Sequence, residues 1–262
     1  MTIDEPVSAV APPLAGRVMM NQDWRDLTFL HWAVPPERVA HLMPPGVRPD
    51  TFEGVTYVGL IPFRMVDAAP FRGRGTPWLG SFLETNVRLY SVDSTGRRGV
   101  VFLSLDIDRL VVVAGARAAF NVPYRWASMR HSSTVRNGST EHTYDARLRR
   151  LSRTAAPASS HVVVRVGTER AASPLDEFVS ARWGLHTRWL GRTLYIPNTH
   201  PTWPLHNAEL VEFSDGLMAS VGLPDLQERA PDHVAFSPGV HTEFGFPGSA
   251  RRVRWTIQDI PR

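Results

Sequence analysis

The stretch that decides the fold is SFLETNVRLYSV, residues 81–92. Apolar and polar side chains alternate along it with the period of two that a half-buried strand shows. Its first face is apolar, with Leu83, Val87 and Leu89. The second face carries a row of aromatic and polar side chains: Phe82, Glu84, Asn86, Arg88 and Tyr90. The alternation therefore predicts a strand with one face for the core and a second face of mixed chemistry.

The stretch VVFLSLDID, residues 100–108, repeats this pattern. Its apolar side chains alternate with a second mixed row, Phe102, Ser104, Asp106 and Asp108. Such a row faces solvent on an open antiparallel sheet, whereas in a closed sheet it lines a cavity. Two adjacent rows of this kind favour the cavity, so we expect Ser104 and Asp106 to point into it beside Glu84.

Most other segments are also of strand length and are separated by proline and glycine. Three helices are predicted, at residues 36–42, 114–120 and 173–183; the last has Ser173 as N-cap and Gly184 just past its end. The remaining predicted strands cover residues 27–32, 55–61, 144–151, 161–166, 192–196, 209–213 and 253–257. We therefore expect a mainly antiparallel α+β fold, with a disordered leader over residues 1–16 and a single domain over 17–262.

The composition excludes several chemistries. Lysine and arginine together number 29, every one of them is arginine, and cysteine is absent. A side-chain Schiff base, a pyridoxal phosphate tether and a Walker A site all need lysine, while a thiolate nucleophile or a disulfide needs cysteine. We expect any activity to proceed without a cofactor and without these groups.

Charge and hydropathy limit the partners. The net charge is +4, and the arginines are scattered rather than arranged in the stripe that nucleic acid requires. No apolar run is long enough for a membrane span, and the ten histidines form no recognisable zinc motif. The expectations are a cytoplasmic protein with a small-molecule ligand, no nucleic acid, no membrane and no metal.

Several stretches together resemble the DUF2071 (YqjF-like) family, which belongs to the acetoacetate decarboxylase-like superfamily. They are residues 27–63 (LTFLHWAVPPERVAHLMPPGVRPDTFEGVTYVGLIPF), residues 81–90 (SFLETNVRLY), residues 100–127 (VVFLSLDIDRLVVVAGARAAFNVPYRWA), the predicted helix at 174–183 and HPTWPLH at 200–206. The resemblance implies a closed, barrel- or cone-like α+β fold around a polar pocket, with a few peripheral helices and assembly into a homo-oligomer.

The wider superfamily implies roles for single residues. Acetoacetate decarboxylases carry an arginine followed six residues later by Pro-Lys-Lys; here Arg117 and Pro123-Tyr124-Arg125 match that segment. The Schiff-base lysine then corresponds to Tyr124 and its cationic neighbour to Arg125, while Glu84 matches a pocket glutamate. Pro123 suits a first helical turn, so Tyr124 is expected to enter the pocket from a helix start.

The leading hypothesis is a cofactor-free acid–base enzyme of lyase, dehydratase, cyclase or isomerase type that acts on a small carbonyl or carboxylate compound. Glu84 would be the base or acid, and Tyr124 the oxyanion donor or acid. Arg88, Arg117 and Arg125 would clamp an anion, and Asn86, Tyr90, Ser104, Asp106 and His31 would complete the site. The alternatives are a protein that binds such a ligand without turnover, and a Tyr124 that is only a packed aromatic.

Overall fold

The computed structural model describes residues 4–112, 122–136, 138–149 and 158–248. The predicted helix at 114–120 and the predicted strand at 253–257 lie outside the described residues. In the described part, residues 4–16 form no regular element, but Trp183 Nε1 donates to the Ser8 carbonyl at 3.0 Å and the Glu5 amide donates to the Gly96 carbonyl at 2.8 Å.

Strands dominate the described residues. They are β1 (Val18–Val34), β2 (Val47–Pro49), β3 (Thr56–Pro70), β4 (Phe82–Asp93), β5 (Arg98–Ile107), β6 (Tyr124–Arg136), β7 (Ser139–Leu148), β8 (Ser159–Arg170), β9 (Gly184–Trp189), β10 (Arg192–Thr199), β11 (His206–Asp215) and β12 (His233–Gly245). The helices are α1 (Pro36–Ala40), α2 (Pro174–Ser180) and two 3-10 helices, Ala219–Val221 and Pro224–Glu228. The predicted mainly antiparallel α+β class is confirmed, because among the strands of the described residues only the pairings of β5 with β6 and β9 are parallel.

The twelve strands of the described residues form one sheet in the order β10-β9-β5-β6-β7-β8-β11-β12-β1-β3-β4-β2. Two additional pairings, β4 with β5 and β10 with β12, bring the sheet back onto itself. The result is a closed, cone-like arrangement, as the resemblance implied. Closure gives the strands an inward face, so a polar row on a central strand has to line an interior.

The core lies on the apolar face of the central strands. Leu60, Val87 and Leu89 are fully buried there together with Trp32, and the 3-10 helix that contains Leu226 covers them. The predicted apolar face of β4 is thus confirmed. Its other face is left for the cavity described below.

The helix near residue 174 begins as its sequence indicates, but it ends at Ser180 rather than near residue 183, and Gly184 opens β9. The Ser173 hydroxyl accepts from the Asp176 amide at 3.1 Å, and the Asp176 carboxylate accepts from the Ser173 amide at 2.7 Å. This capping box supplies partners for backbone donors that the first helical turn leaves open. The helix holds Asp176 in a buried position that becomes important for the site.

The segment that begins at Tyr124 differs from its prediction in the type of secondary structure. Tyr124 opens strand β6 instead of a helix, and β6 runs parallel to β5 with Tyr124 opposite Leu105. The Pro123 carbonyl accepts from the Leu105 amide at 3.1 Å, so the backbone is already paired to the sheet at this point. A proline is tolerated at the start of a strand because its missing N–H is not required there.

None of the helices in the described residues combines the length and the apolar character that crossing a membrane requires.

Candidate active site

A cavity of about 260 Å³ lies on the second face of β4, between β1, β3, β5 and β6. Most of its wall is apolar, and polar groups enter at a few places. The lining residues used below are Gln22, Trp24, Phe63, Phe82, Glu84, Asn86, Arg88, Phe102, Leu105, Val112, Tyr124 and Trp203. An apolar enclosure with few polar side chains is the usual form of a small-molecule site.

Strand β4 supplies the polar floor of the cavity. Glu84, Asn86 and Arg88 line it together with Phe82, so the mixed row points inward as expected. Tyr90, the last member of the row, is completely buried and lies beyond the cavity wall. The expectation that it contacts ligand is corrected: its hydroxyl bonds to the protein instead.

Glu84 is only 3% exposed. Asn86 Nδ2 donates to Glu84 Oε1 over a long 3.5 Å, and Oε2 has no hydrogen-bond partner among the described residues. Burial raises the pKa of Glu84 to about 8; the Asn86 contact opposes this weakly, and the negative charge of Asp106 adds to it. At pH 7 this carboxyl is therefore mostly protonated and can both give and take a proton.

Tyr124 reaches the same cavity from the start of β6. Its hydroxyl has no hydrogen-bond partner among the residues that the structure describes. Burial raises the pKa of Tyr124 well above its ordinary value of 10, and the nearby Glu84 charge raises it further. The phenol therefore stays neutral and is suited to donating a hydrogen bond to a ligand oxygen.

Arg125 does not act as the predicted cationic neighbour of Tyr124. Successive side chains of a strand point to opposite faces, so Arg125 leaves the cavity side. Its Nη2 donates to Asp106 at 2.7 Å and to Ser104 at 3.1 Å, and Nη1 donates to Ser220 at 2.7 Å. With its charge balanced by a buried carboxylate, Arg125 is not part of an anion clamp in the cavity.

Ser104 and Asp106 are fully buried on this other face, which corrects the expectation that they line the cavity. The cause is a register shift between β4 and β5: Val87 lies opposite Ser104, but Arg88 lies opposite Phe102. One extra residue of β5 is accommodated there, as in a β-bulge, and this exchanges the two faces of the strand. Phe102 and Leu105 form the cavity wall as a result.

Arg88 stands at the far end of the polar floor from Glu84. Its Nε and Nη2 donate to the Tyr90 hydroxyl at 3.1 and 2.9 Å, and Nη2 also donates to the Val179 carbonyl at 2.9 Å. Nη1 has no partner within the described residues. His31, predicted to contact ligand, is fully buried and bonds to Tyr90 at 2.6 Å instead, and Arg117 lies outside the described residues.

Eleven buried side-chain polar atoms lack a hydrogen-bond partner among the described residues, and three of them belong to residues that line the cavity. Among the described residues, Trp24 Nε1, Glu84 Oε2 and Asn86 Oδ1 are buried without a hydrogen-bond partner, and all three residues line it. Buried polar groups are nearly always paired, so a group of three orphans in one cavity points to a polar ligand there. The sequence analysis did not identify Trp24 as a site residue. Its ring stacks on Trp203 with a centroid distance of 5.7 Å, and Trp203 belongs to the HPTWPLH motif, which was the one sequence signal for this wall of the cavity.

The described ranges contain no group of three or more histidine, aspartate or glutamate side chains arranged to hold a metal ion. The described cavity offers a carboxyl, the amides of Gln22 and Asn86, a phenol, an indole N–H and a guanidinium.

A family model described as an uncharacterized conserved protein, DUF2071, matches residues 21–241. The chain belongs to the DUF2071 family. The uncharacterized protein YqjF of Bacillus subtilis (strain 168) is similar to it, with 29% identity over 191 residues that cover 73% of this chain and 76% of YqjF.

Solved structures place this DUF2071 member in the acetoacetate decarboxylase-like fold. An acetoacetate decarboxylase-like enzyme from Sphingomonas wittichii RW1 matches with a TM-score of 0.56 at 10% identity, covering 86% of this chain and 90% of that one. The acetoacetate decarboxylase of Legionella pneumophila matches with a TM-score of 0.52 at 13% identity, covering 90% of this chain and 92% of that one. The enduracididine biosynthesis enzyme MppR matches with a TM-score of 0.53 at 15% identity, covering 90% of this chain and 88% of that one. Its structure is a complex with the condensation product of pyruvate and imidazole 4-carboxaldehyde.

Proposed function

We propose that this DUF2071 protein is an acid–base enzyme of lyase or isomerase type that moves a proton on a small carbonyl compound, with Glu84 as the proton carrier. The observation that carries the proposal is the Glu84 carboxyl: it is buried in an apolar cavity, has one oxygen without a partner in the described residues, and has a pKa of about 8. A carboxyl tuned toward neutral pH is the usual requirement for proton transfer to or from carbon.

The proposed step balances within the cavity. The Glu84 carboxylate takes a proton from the carbon next to a carbonyl, and the electrons of that C–H bond form the enolate. The Tyr124 phenol donates a hydrogen bond to the oxygen on which the negative charge develops. The newly protonated Glu84 then returns its proton to the same carbon or to a different atom of the substrate. Tyr124 acts as a donor rather than as an acid, because burial keeps it neutral.

Arg88 adds a second requirement for the substrate, which is an anionic group. It is four residues from Glu84 along β4, which separates the two Cα atoms by roughly 13 Å. The hydrogen bonds of Arg88 to Tyr90 draw its guanidinium away from Glu84. We expect the substrate to be an elongated oxo acid whose carbonyl lies near Glu84, whose anionic group lies near Arg88, and whose apolar middle contacts Phe63, Phe102 and their neighbours.

Two features of the structural relatives support a carbonyl ligand. MppR is described with pyruvate and with a product of pyruvate and an aldehyde, and two other relatives are an acetoacetate decarboxylase and an enzyme like it. The absence of lysine means that the reaction in this chain cannot pass through a side-chain Schiff base. The direct enolisation above needs none.

The test is deuterium exchange in D2O followed by NMR, with two isomeric substrates, 7-oxooctanoate and 4-oxooctanoate. We expect the protein to accelerate exchange next to the ketone, and to favour the 7-oxo isomer because its two functional groups are further apart. Glu84→Gln should abolish exchange and retain binding. Glu169→Gln, at an exposed glutamate of β8, is the matched control and should behave as the wild type.

A second function is favoured by one observation, the predominantly apolar wall, which also suits a protein that only binds apolar carboxylates. In that case both isomers bind, no exchange exceeds the uncatalysed rate, and Glu84→Gln changes affinity alone. This outcome would replace the enzyme proposal with the binding function.

A further inference from the structure

A row of side chains crosses four neighbouring strands behind the cavity. His233 of β12 lies opposite His31 of β1, His31 opposite Gly59 of β3, and Gly59 opposite Arg88 of β4. A Cβ at Gly59 would lie 3.1 Å from the His31 ring and 3.3 Å from Arg88 Cγ, so the glycine makes room for both. The row brings a buried histidine pair up to the guanidinium that faces the ligand.

Hydrogen bonds connect this row from Arg88 to a carboxylate. Arg88 donates to the Tyr90 hydroxyl, which lies 2.6 Å from His31 Nε2. His31 Nδ1 lies 2.9 Å from His233 Nδ1, and His233 Nε2 lies 2.8 Å from Asp176 Oδ1. The second oxygen of Asp176 accepts from the N-cap of α2. The chain of Tyr90, His31, His233 and Asp176 is called the relay below.

The donors of the relay can be assigned in only one direction. Arg88 has no acceptor, so its two N–H groups occupy the lone pairs of the Tyr90 oxygen. His31 Nε2 cannot add a third donor to that oxygen, so Nε2 is an acceptor, and the Tyr90 hydrogen goes to it at 2.6 Å, a shorter contact than the 3.0 Å to the Val179 carbonyl. His31 then carries its proton on Nδ1 and donates to His233, which carries its own on Nε2 and donates to Asp176.

The protonation states agree with this direction. Burial lowers the pKa of His31 well below its ordinary value, and the positive charges of Arg88 and Arg182 lower it further, so the ring stays neutral and can accept from Tyr90. Burial alone would raise the pKa of Asp176, but hydrogen bonds from His233 and Ser173 lower it, so this end stays anionic.

The relay determines which part of Arg88 can meet a ligand. It engages Nε and one N–H of Nη2, and the Val179 carbonyl takes the other N–H of Nη2. Nη1, which has no partner in the described part of the chain, is left with both of its hydrogens. Arg88 therefore offers a ligand one guanidinium nitrogen, Nη1.

We propose that Tyr90, His31, His233 and Asp176 are positioning residues, which hold the Arg88 guanidinium with Nη1 toward the cavity and so create a subsite for a ligand carboxylate. The inference rests on the proposed function in one point, the placement of the substrate's anionic group near Arg88, and adds how the guanidinium is held there. None of the four residues contacts the ligand, and their effect passes through Arg88.

The test compares octanoate with 1-octanol, which differ only at the anionic end, by equilibrium binding followed through tryptophan fluorescence. The wild type should prefer octanoate by about tenfold to hundredfold, the range expected for one hydrogen bond to a charged group. Arg88→Met should remove this preference. His31→Phe keeps a ring of similar size but offers no acceptor to Tyr90, and it should remove most of the preference while leaving octanol binding unchanged.

Four further variants separate positioning from packing. Tyr90→Phe should reduce the octanoate preference, whereas Tyr57→Phe, the same change in a ring that contacts His31 from outside the relay, should not. His31→Gln, which again offers an acceptor and a donor, should restore part of the preference. If His31→Phe does not fold, Asp176→Asn tests the far end of the relay and should lower the preference by several-fold.

An octanoate preference that survives His31→Phe or Asp176→Asn would overturn the positioning role. A preference that survives Arg88→Met would show that the carboxylate does not bind there, and would overturn the subsite itself. Neither result touches the Glu84-dependent deuterium exchange, so failure of this inference is distinguishable from failure of the proposed function.

Discussion

Replacing Glu84 by glutamine should stabilise the protein while it abolishes the proposed activity. The carboxyl has a pKa of about 8 in the fold, against an ordinary value of 4.5. Between those two pH values the unfolded chain has lost the proton that the folded chain keeps, so the free energy of unfolding decreases as pH rises. Glutamine has the same shape, remains neutral and can still accept from Asn86.

The magnitude follows from the pKa difference. Each pH unit between 4.5 and 8 lowers the free energy of unfolding of the wild type by about 1.4 kcal/mol relative to a neutral residue. Glu84→Gln should therefore be nearly neutral at pH 5, more stable than the wild type by on the order of 3 kcal/mol at pH 7, and by somewhat more at pH 8. Because Glu84 is only 3% exposed, solvent screening reduces this little.

The assay is urea unfolding of the wild type and Glu84→Gln at pH 5, 7 and 8, with Glu169→Gln as an exposed control. The urea midpoints of Glu84→Gln and wild type should diverge as pH rises, and those of the control and wild type should not. Parallel pH profiles for Glu84→Gln and wild type would refute the raised pKa and remove the main support for Glu84 as the proton carrier.

Three further changes test the surrounding structure. Tyr124→Phe should keep binding but lower the deuterium exchange rate by roughly a hundredfold or more, the usual scale for losing an oxyanion donor; an unchanged rate would leave Tyr124 without a catalytic role. Asp106→Asn should lower the free energy of unfolding by about 3–5 kcal/mol, because it leaves the buried Arg125 charge unbalanced; urea midpoints measure this, and a loss below 1 kcal/mol would contradict it. Gly59→Ala should weaken octanoate binding more than octanol binding, because its methyl group presses on His31 and Arg88; equal effects on both ligands would contradict that reason.

The sequence predicts best what depends on local alternation. The two faces of β4 follow from neighbouring residues alone, and closure of the sheet then leaves only the inward direction for Glu84, Asn86 and Arg88. The capping residues around Ser173 likewise act within one turn and were read correctly. Features of this kind need no knowledge of the partner strands.

The second mixed row shows where that reasoning ends. Ser104 and Asp106 alternate as regularly as the β4 row does, but the bulge that reverses their direction depends on pairing with β4. In the same way, Tyr124 follows a proline that suits a helix start, and only the pairing with Leu105 makes it a strand. These outcomes are decided between strands, where a single sequence carries no signal.

The relay could not be predicted from the sequence for the same reason. His31 and His233 are 202 residues apart, and nothing in either neighbourhood marks them as partners. From the sequence, His31 was expected only to complete the ligand site. Its actual role depends on the order of strands β12, β1, β3 and β4, which emerges when the sheet closes.

The arrangement of charges explains why a cavity without lysine can still tune a carboxyl for proton transfer. A cation beside Glu84 would stabilise its anion and lower its pKa. Position 124 carries a neutral phenol, Arg125 is turned away and balanced by Asp106, and Arg88 is held toward Tyr90. Burial is then the largest influence on Glu84, and it favours the protonated form. The Glu84 end of the cavity is consequently neutral near pH 7 and suits a carbonyl, whereas the Arg88 end remains cationic and suits a carboxylate. We therefore expect a substrate with both groups to bind in one direction, with its carbonyl at Glu84, the proposed proton carrier.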